Sequence, residues 1–386
     1  MDSLLLPRGF RAHVTNIGVK DSTDDFTVVA ADSLCAAAGV FTKSSFAGPS
    51  VSLSRLNLAH GVARAVVVIS KNANVATGPQ GIADAAEVVA GVAGALGCEP
   101  HEVLIASTGV IGRPYPMDRI RTGLAAIPRP LPGTDAAVVA RGIMTTDTVP
   151  KTASANAGAA RVVGVAKGVG MIEPDMATMI AMIFTDAEIP SVELDRVFRK
   201  VVDLTFNCVS VDTDTSTSDS AIILASGEAG PVDLAIFEAA LYEVAESLTK
   251  QIARDGEGAT TLIEVVVDGA SNREQAKRVA KAIVNSPLVK TAVHGADPNW
   301  GRVAMAIGKA TTSDEVQQER VTIRFGDQEV YPVQLDEAGL AALGAYMRGT
   351  HVRIHVSLAT EGSASATVWG CDLTDGYVRI NADYTT

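Results

Sequence analysis

Eight consecutive residues, Ala63-Arg64-Ala65-Val66-Val67-Val68-Ile69-Ser70, restrict the fold more than any other stretch. Apolar, β-branched residues crowd this run without the polar alternation of a half-solvated strand. It is therefore expected to be a strand covered on both faces. It is far too short to cross a membrane, which takes about 20 apolar residues. A strand buried on both faces needs layers above and below it, and the rest of the chain supplies them. Residues 26–31, 103–107, 161–166, 179–184 and 261–267 read as further strands, with a short one around Val40 and Phe41. Between them, helices are expected over residues 82–96, ended by Gly97, from Pro116 onward, over 135–143, and from a Ser191 cap to about 204. Residues 232–253 place Leu234, Phe237, Leu241, Val244, Leu248 and Ile252 on one helical face, and 273–284 forms another helix. After Val321 mostly strands are expected, with one helix over 337–347. The alternation defines an α/β class. Because 47% of residues are hydrophobic but only 4% aromatic, the core must be built from Val, Ala, Ile and Leu.

Thirty-two Lys and Arg against 44 Asp and Glu give a net charge of −12. No basic run stands out, so a nucleic-acid partner is not expected. Cys35, Cys98, Cys208 and Cys371 are far apart and form no Cys-x-x-Cys pair, as expected of reduced thiols. The first residues lack a cationic start, and no apolar stretch nears 18 residues. A cytoplasmic protein without a membrane span is the expectation. Asp212, Asp214 and Asp219 lie in a Ser/Thr-rich segment that suits either a cation or bonds to its own backbone. His351 and His355 would share a strand face but stand too far apart for joint ligation. No metal or cofactor is expected.

Candidate chemistry sits in loops. The stretch 168–180 begins with the Gly168-x-Gly170 turn, passes Pro174 and presents Thr178 just before an apolar strand. A threonine hydroxyl becomes a nucleophile if a base takes its proton. Its own α-amine can do so after a cut at Ala177-Thr178, since such amines titrate near ~7.7–8.0. The same stretch also reads as an ordinary loop. Thr108-Gly109 can offer a hydroxyl and an N–H to an oxyanion, or be a plain turn. Lys167 ends a strand where it can hold a carboxylate or simply be solvated. Glu257 can hold an ammonium or be a surface acid.

The chain resembles the bifunctional glutamate N-acetyltransferase/ornithine acetyltransferase family nearly end to end. The resemblance is carried by Ser107-Thr108-Gly109-Val110-Ile111-Gly112, Met144-Thr145-Thr146-Asp147-Thr148, Lys167 through Met179, Asp214-Thr215-Ser216-Thr217, Asp255-Gly256-Glu257-Gly258-Ala259, Gly295 through Arg302, and Asn381 through Thr386. It implies self-cleavage between Ala177 and Thr178. The products are an α chain (1–177) and a β chain (178–386) that stay associated, with a smaller C-terminal α/β lobe from about 265. It implies a layered α-β-β-α sandwich similar to N-terminal-nucleophile hydrolases, and a heterotetramer or larger. Thr178 would carry an acetyl group from N-acetylornithine to glutamate, in arginine biosynthesis, with no cofactor. Thr108 and Gly109 fall on the oxyanion-hole positions. Thr145, Lys167, Thr178, Glu257, Asn381 and Thr386 fall on substrate-binding positions. Lys71, Asp175, Glu173 and Phe46 through Ser50 are similar to members from clavulanate-type antibiotic pathways, so transfer to another acceptor stays open. So does an amidase or aminopeptidase reaction, in which water takes the acyl group. A non-catalytic binding protein would not need this set of residues together.

Overall fold

The structure, a computed structural model, describes residues 4–173 and 179–383. Its strands, in chain order, are β1 (Phe10–Thr15), β2 (Phe26–Phe41), β3 (Val62–Asn72), β4 (Val103–Val110), β5 (Lys151–Ala157), β6 (Ala160–Lys167), β7 (Ile180–Thr185), β8 (Val209–Ser210), β9 (Ser220–Ala225), β10 (Leu262–Ala270), β11 (Thr322–Phe325), β12 (Gln328–Tyr331), β13 (His351–Ser357) and β14 (Ala364–Cys371). The first sheet runs β4-β3-β2-β9-β7-β6-β5, with β1 also on β2. As its apolar run requires, β3 is interior, between antiparallel β2 and parallel β4, and residues 65–69 are fully buried.

The 16-residue β2 shapes the sandwich. Its first half pairs with β1 and β3, a register shift follows Ala30, and its second half pairs with β9. The shift spans the exposed Asp32, Ser33 and Leu34. What the sequence suggests as two strands is one, bent strand shared by two halves of a sheet. Val66, Val68 and Leu104 from one half and Val163, Met182 and Phe184 from the other share a core cluster. Outside the first half, Val67 and Ile105 pack with Val88 and Val92 of the helix Gly78–Leu96. Outside the second, Ala181 and Ile183 pack with Phe198 of Ser191–Leu204 and Leu241 of Leu234–Arg254. The order helix, strand, strand, helix is the expected α-β-β-α sandwich.

The second sheet runs β12-β11-β13-β10-β14-β8. Its Val265 and Val368 belong to the same core cluster as the helix Leu234–Arg254, together with Val279 of Arg273–Val284. The helix Glu337–Met347 forms as expected. A last helix, Asp375–Asp383, replaces the strand expected near the end of the chain. Cys35, Cys208 and Cys371 are buried free thiols, while Cys98 is half-buried. No helix among the described residues is long and apolar enough to cross a membrane.

Candidate active site

Strand ends from both halves of the first sheet open onto one mouth. The C-terminal ends of β3, β4 and β6 and the N-terminal ends of β7 and β9 lie there. A cavity of about 140 Å³ at this mouth is lined by Thr108, Gly109, Thr145, Lys167, Glu257 and Asn381. Every sequence-predicted site residue that falls among the described residues is therefore at one place. Ala177, Thr178 and Thr386 lie outside the described residues.

Lys167 is the last residue of β6 and is buried. Burial lowers its pKa from 10.5, against the opposing pull of Asp147. Its Nζ donates to Thr108 Oγ1 at 3.1 Å. An ammonium has only donors, so Thr108 must accept there, and its own hydroxyl proton is left to point elsewhere. The lysine thereby sets the threonine as a donor. Gly109 follows at φ 129, in a bulged register against Lys71 and Asn72. A Cβ there would stand 2.2 Å from the Lys71 carbonyl carbon, so only glycine fits. On the oxyanion-hole role that the family resemblance implies for Thr108, removing this donor should matter most when oxyanion charge develops. Thr108→Val is expected to lower kcat by about 10²–10³ with a modest change in KM, read from steady-state kinetics.

Glu257 projects from the loop after the helix Leu234–Arg254. It accepts from Asn381 Nδ2 at 2.8 Å and from Thr146 Oγ1 at 3.4 Å. The unexpected final helix brings Asn381 and Tyr377 to the cavity. That helix seats against Gly258 so closely that a Cβ on the glycine would meet Tyr377 N at 2.5 Å. Thr146 lines the cavity beside Thr145.

Three residues that the sequence did not single out hold the site loops in place. Asp147 accepts from Lys151 Nζ (2.7 Å), Gly168 N (2.7 Å) and Thr145 N (3.0 Å). Lys151 also reaches Asp255 at 2.5 Å, and Asp255 accepts from Thr148 N at 3.1 Å and from its hydroxyl. Lys151 and Asp147 side chains are fully buried. Burial alone would raise the Asp147 pKa, but Lys167 and Lys151 outweigh it and hold it below 3.8. The triad ties the 145–148, 167–168 and 255–257 segments together. Its only sequence signal is that Asp147 and Asp255 stand inside motifs.

Of the acidic group, Asp212 bonds backbone: it accepts from Met171 N (2.6 Å) and Ile172 N (2.7 Å). No group of three metal-ligating side chains occurs among the described residues. Lys71 sits at φ 83, a left-handed value that costs a residue with a side chain about 1–3 kcal/mol. It lines a neighbouring cavity that also includes Thr145 and Arg113.

The fold is a layered α/β sandwich, and its site is one cavity at the strand ends lined by hydroxyl, lysine and carboxylate side chains. The profile of the ArgJ family matches residues 11–386. The arginine biosynthesis bifunctional protein ArgJ 2 of Nostoc sp. is 57% identical over 380 residues, 98% of each chain. Glutamate N-acetyltransferase Oat2 of Streptomyces clavuligerus is 55% identical over 386 residues, again 98% of each. A crystal structure of the arginine biosynthesis bifunctional protein argJ from Bacillus halodurans is 44% identical, covers 52% of this chain and 96% of that one, and has a TM-score of 0.49. The chain belongs to the ArgJ family.

Proposed function

We infer that the protein is a glutamate N-acetyltransferase that takes its acetyl group from N-acetylornithine, with Thr178 as the carrier. The observation that supports this most is the single cavity shared by Thr108, Gly109, Thr145, Lys167, Glu257 and Asn381 in an ArgJ-family chain. The chain first cuts itself between Ala177 and Thr178, giving α (1–177) and β (178–386) fragments that remain together in a heterotetramer or larger assembly in the cytoplasm. The new α-amine of Thr178 takes the hydroxyl proton as the oxygen adds to the acetyl carbonyl. The Thr108 hydroxyl and the Gly109 N–H stabilise the oxyanion. The tetrahedral intermediate collapses, the α-ammonium returns the proton to the departing nitrogen, and ornithine leaves. Glutamate then attacks the acetyl-threonine ester by the same route in reverse.

Lys167 serves the α-carboxylate common to both substrates, with Thr145 beside it and Thr386 as a further contact. Glu257, oriented by Asn381, serves the side-chain ammonium that only the ornithine side carries. Glu257→Gln keeps the shape and removes the charge. It is expected to weaken acetylornithine turnover about 10–100-fold, the worth of one hydrogen bond to a charged group, while cleavage at Thr178 continues. Intact mass and initial rates on the same preparation separate the two effects.

Acetylornithine turnover with and without glutamate tests the reading. Parallel double-reciprocal lines and transfer dependent on glutamate are expected. Full-rate acetate release without glutamate would make the protein a hydrolase. The strained cation Lys71, beside a cavity that shares Thr145, favours a second reading in which an acceptor from specialised metabolism, as in antibiotic biosynthesis, replaces glutamate. A panel of amino-acid acceptors decides between them: a free amine used more efficiently than glutamate would establish the second.

A further inference from the structure

A second cavity, of about 550 Å³, shares Thr145 with the active-site cavity. Its charged lining is Lys20, Lys71, Arg113 and Arg119 against Asp21, an excess of cations in a chain of net charge −12. The loop that carries Lys20 is fixed. The buried Asp25 carboxylate accepts from Ile17 N at 2.8 Å and from Lys20 N at 2.7 Å, and Arg119 donates to the Gly18 carbonyl. The Lys20 side chain reaches the site wall: Nζ donates to the carbonyls of Asp24 at 2.5 Å and Met144 at 2.6 Å. Met144 directly precedes Thr145. An ammonium has three N–H donors, and the third of Lys20 meets no acceptor among the described residues. Burial lowers the Lys20 pKa to about 8; Asp25 opposes this, while the Lys167 charge adds to it.

The two amino acids that share the site differ at the far end of the side chain. Ornithine ends in an ammonium, glutamate in a carboxylate. Glu257 attracts the first and repels the second. Lys167 is the one cation among the described residues that line the active-site cavity, where Asp212 and Asp214 stand as well as Glu257. Once Lys167 holds the α-carboxylate, a second carboxylate has to find its cation elsewhere. We propose that Lys20 receives the side-chain carboxylate of the acceptor, and that the basic cavity sharing Thr145 is the subsite for that group. This rests on the acetyl-transfer reading above, with an α-amino dicarboxylic acid as acceptor. The acceptor side chain turns away from Glu257 and past Thr145, and its carboxylate accepts the third N–H of Lys20, a charge-assisted hydrogen bond. Lys71 and Arg113 strengthen the field that draws it there. The same field keeps the ornithine ammonium on the Glu257 side. One threonine can then serve two amino acids of opposite side-chain charge in turn.

The test compares kcat/KM for acetyl transfer from N-acetylornithine to glutamate and to glutamine, its neutral amide, in the parent, Lys20→Met and Lys20→Gln. The parent is expected to prefer glutamate. Lys20→Met is expected to lower the glutamate-to-glutamine ratio about 10–100-fold, the worth of one hydrogen bond to a charged group. A merely structural lysine, holding the Met144 carbonyl in place, would slow both acceptors alike. An unchanged ratio in a folded Lys20→Met chain therefore overturns the proposal. Should that chain fail to fold, Lys20→Gln decides by the same ratio, since its amide can still donate to the Met144 carbonyl. A parent that uses glutamine as well as glutamate also overturns it. A parent that passes acetyl to water alone would instead sink the acetyl-transfer reading itself.

Discussion

Lys151→Met is expected to destabilise the protein by about 3–5 kcal/mol, the usual cost of removing one partner from a buried ion pair. The methylene stem is nearly conserved, so lost packing is a small part of this. What changes is that the Asp147 and Asp255 carboxylates, 0% and 6% exposed, lose the ammonium between them. In the parent, the Asp147 pKa is depressed below its ordinary value of 3.8. Its stabilising contribution is therefore fully present above about pH 4 and is lost as pH falls through the folded pKa. Without Lys151 that loss should begin at higher pH. The urea midpoint should drop with little change in slope, and the drop should shrink in acid, where the Asp147 carboxyl is protonated. A midpoint shift worth under about 1 kcal/mol would mean that water or Lys167 replaces the ammonium. Activity should fall further than stability alone explains, because Thr145, Gly168 and Thr148 all hang from the triad.

Thr178→Ala is expected to abolish both self-cleavage and transfer, with residual turnover lower by roughly 10⁴-fold or more, as for loss of a covalent nucleophile. Binding should persist, since Lys167, Glu257 and Asn381 are untouched. Acetylornithine should therefore still raise the melting temperature of the variant. A Thr178→Ala chain that stays whole yet transfers acetyl at a tenth of the parent rate would remove Thr178 from the mechanism.

Strands β3, β4, β6 and β7 of the first sheet were legible because burial on both faces leaves a simple mark, an unbroken apolar run such as residues 65–69, whereas β1, β5 and β9 were not read as strands. The shared length of β2 was not legible either. Its exposed residues 32–34 read as a break, and only the register against β3 and β9 reveals a continuous bent strand. The last helix was hidden for the opposite reason. Val378 and Ile380 alternate with polar residues as a strand would, and in the helix both are exposed, so no buried stripe marked it. At the site, Thr108, Gly109, Lys167 and Glu257 were legible through motif resemblance and loop position. The role of Lys151 was not, because no strand was expected where it opens β5 and a single lysine there carries no mark of burial. Nothing local announces carboxylates 4 and 104 residues away. The donor setting of Thr108 by Lys167 is likewise a property of a 3.1 Å contact between two strand ends.

The central claim is that an acetyl group rests on Thr178 between donor and acceptor. The protein is incubated with N-acetylornithine alone, quenched in acid, and its intact mass measured, with the modified residue located by fragmentation. One acetyl group on Thr178, removed when glutamate is added, is the predicted result. An unmodified fragment beginning at Thr178, together with intersecting double-reciprocal lines, would mean direct transfer in a ternary complex and would contradict the account.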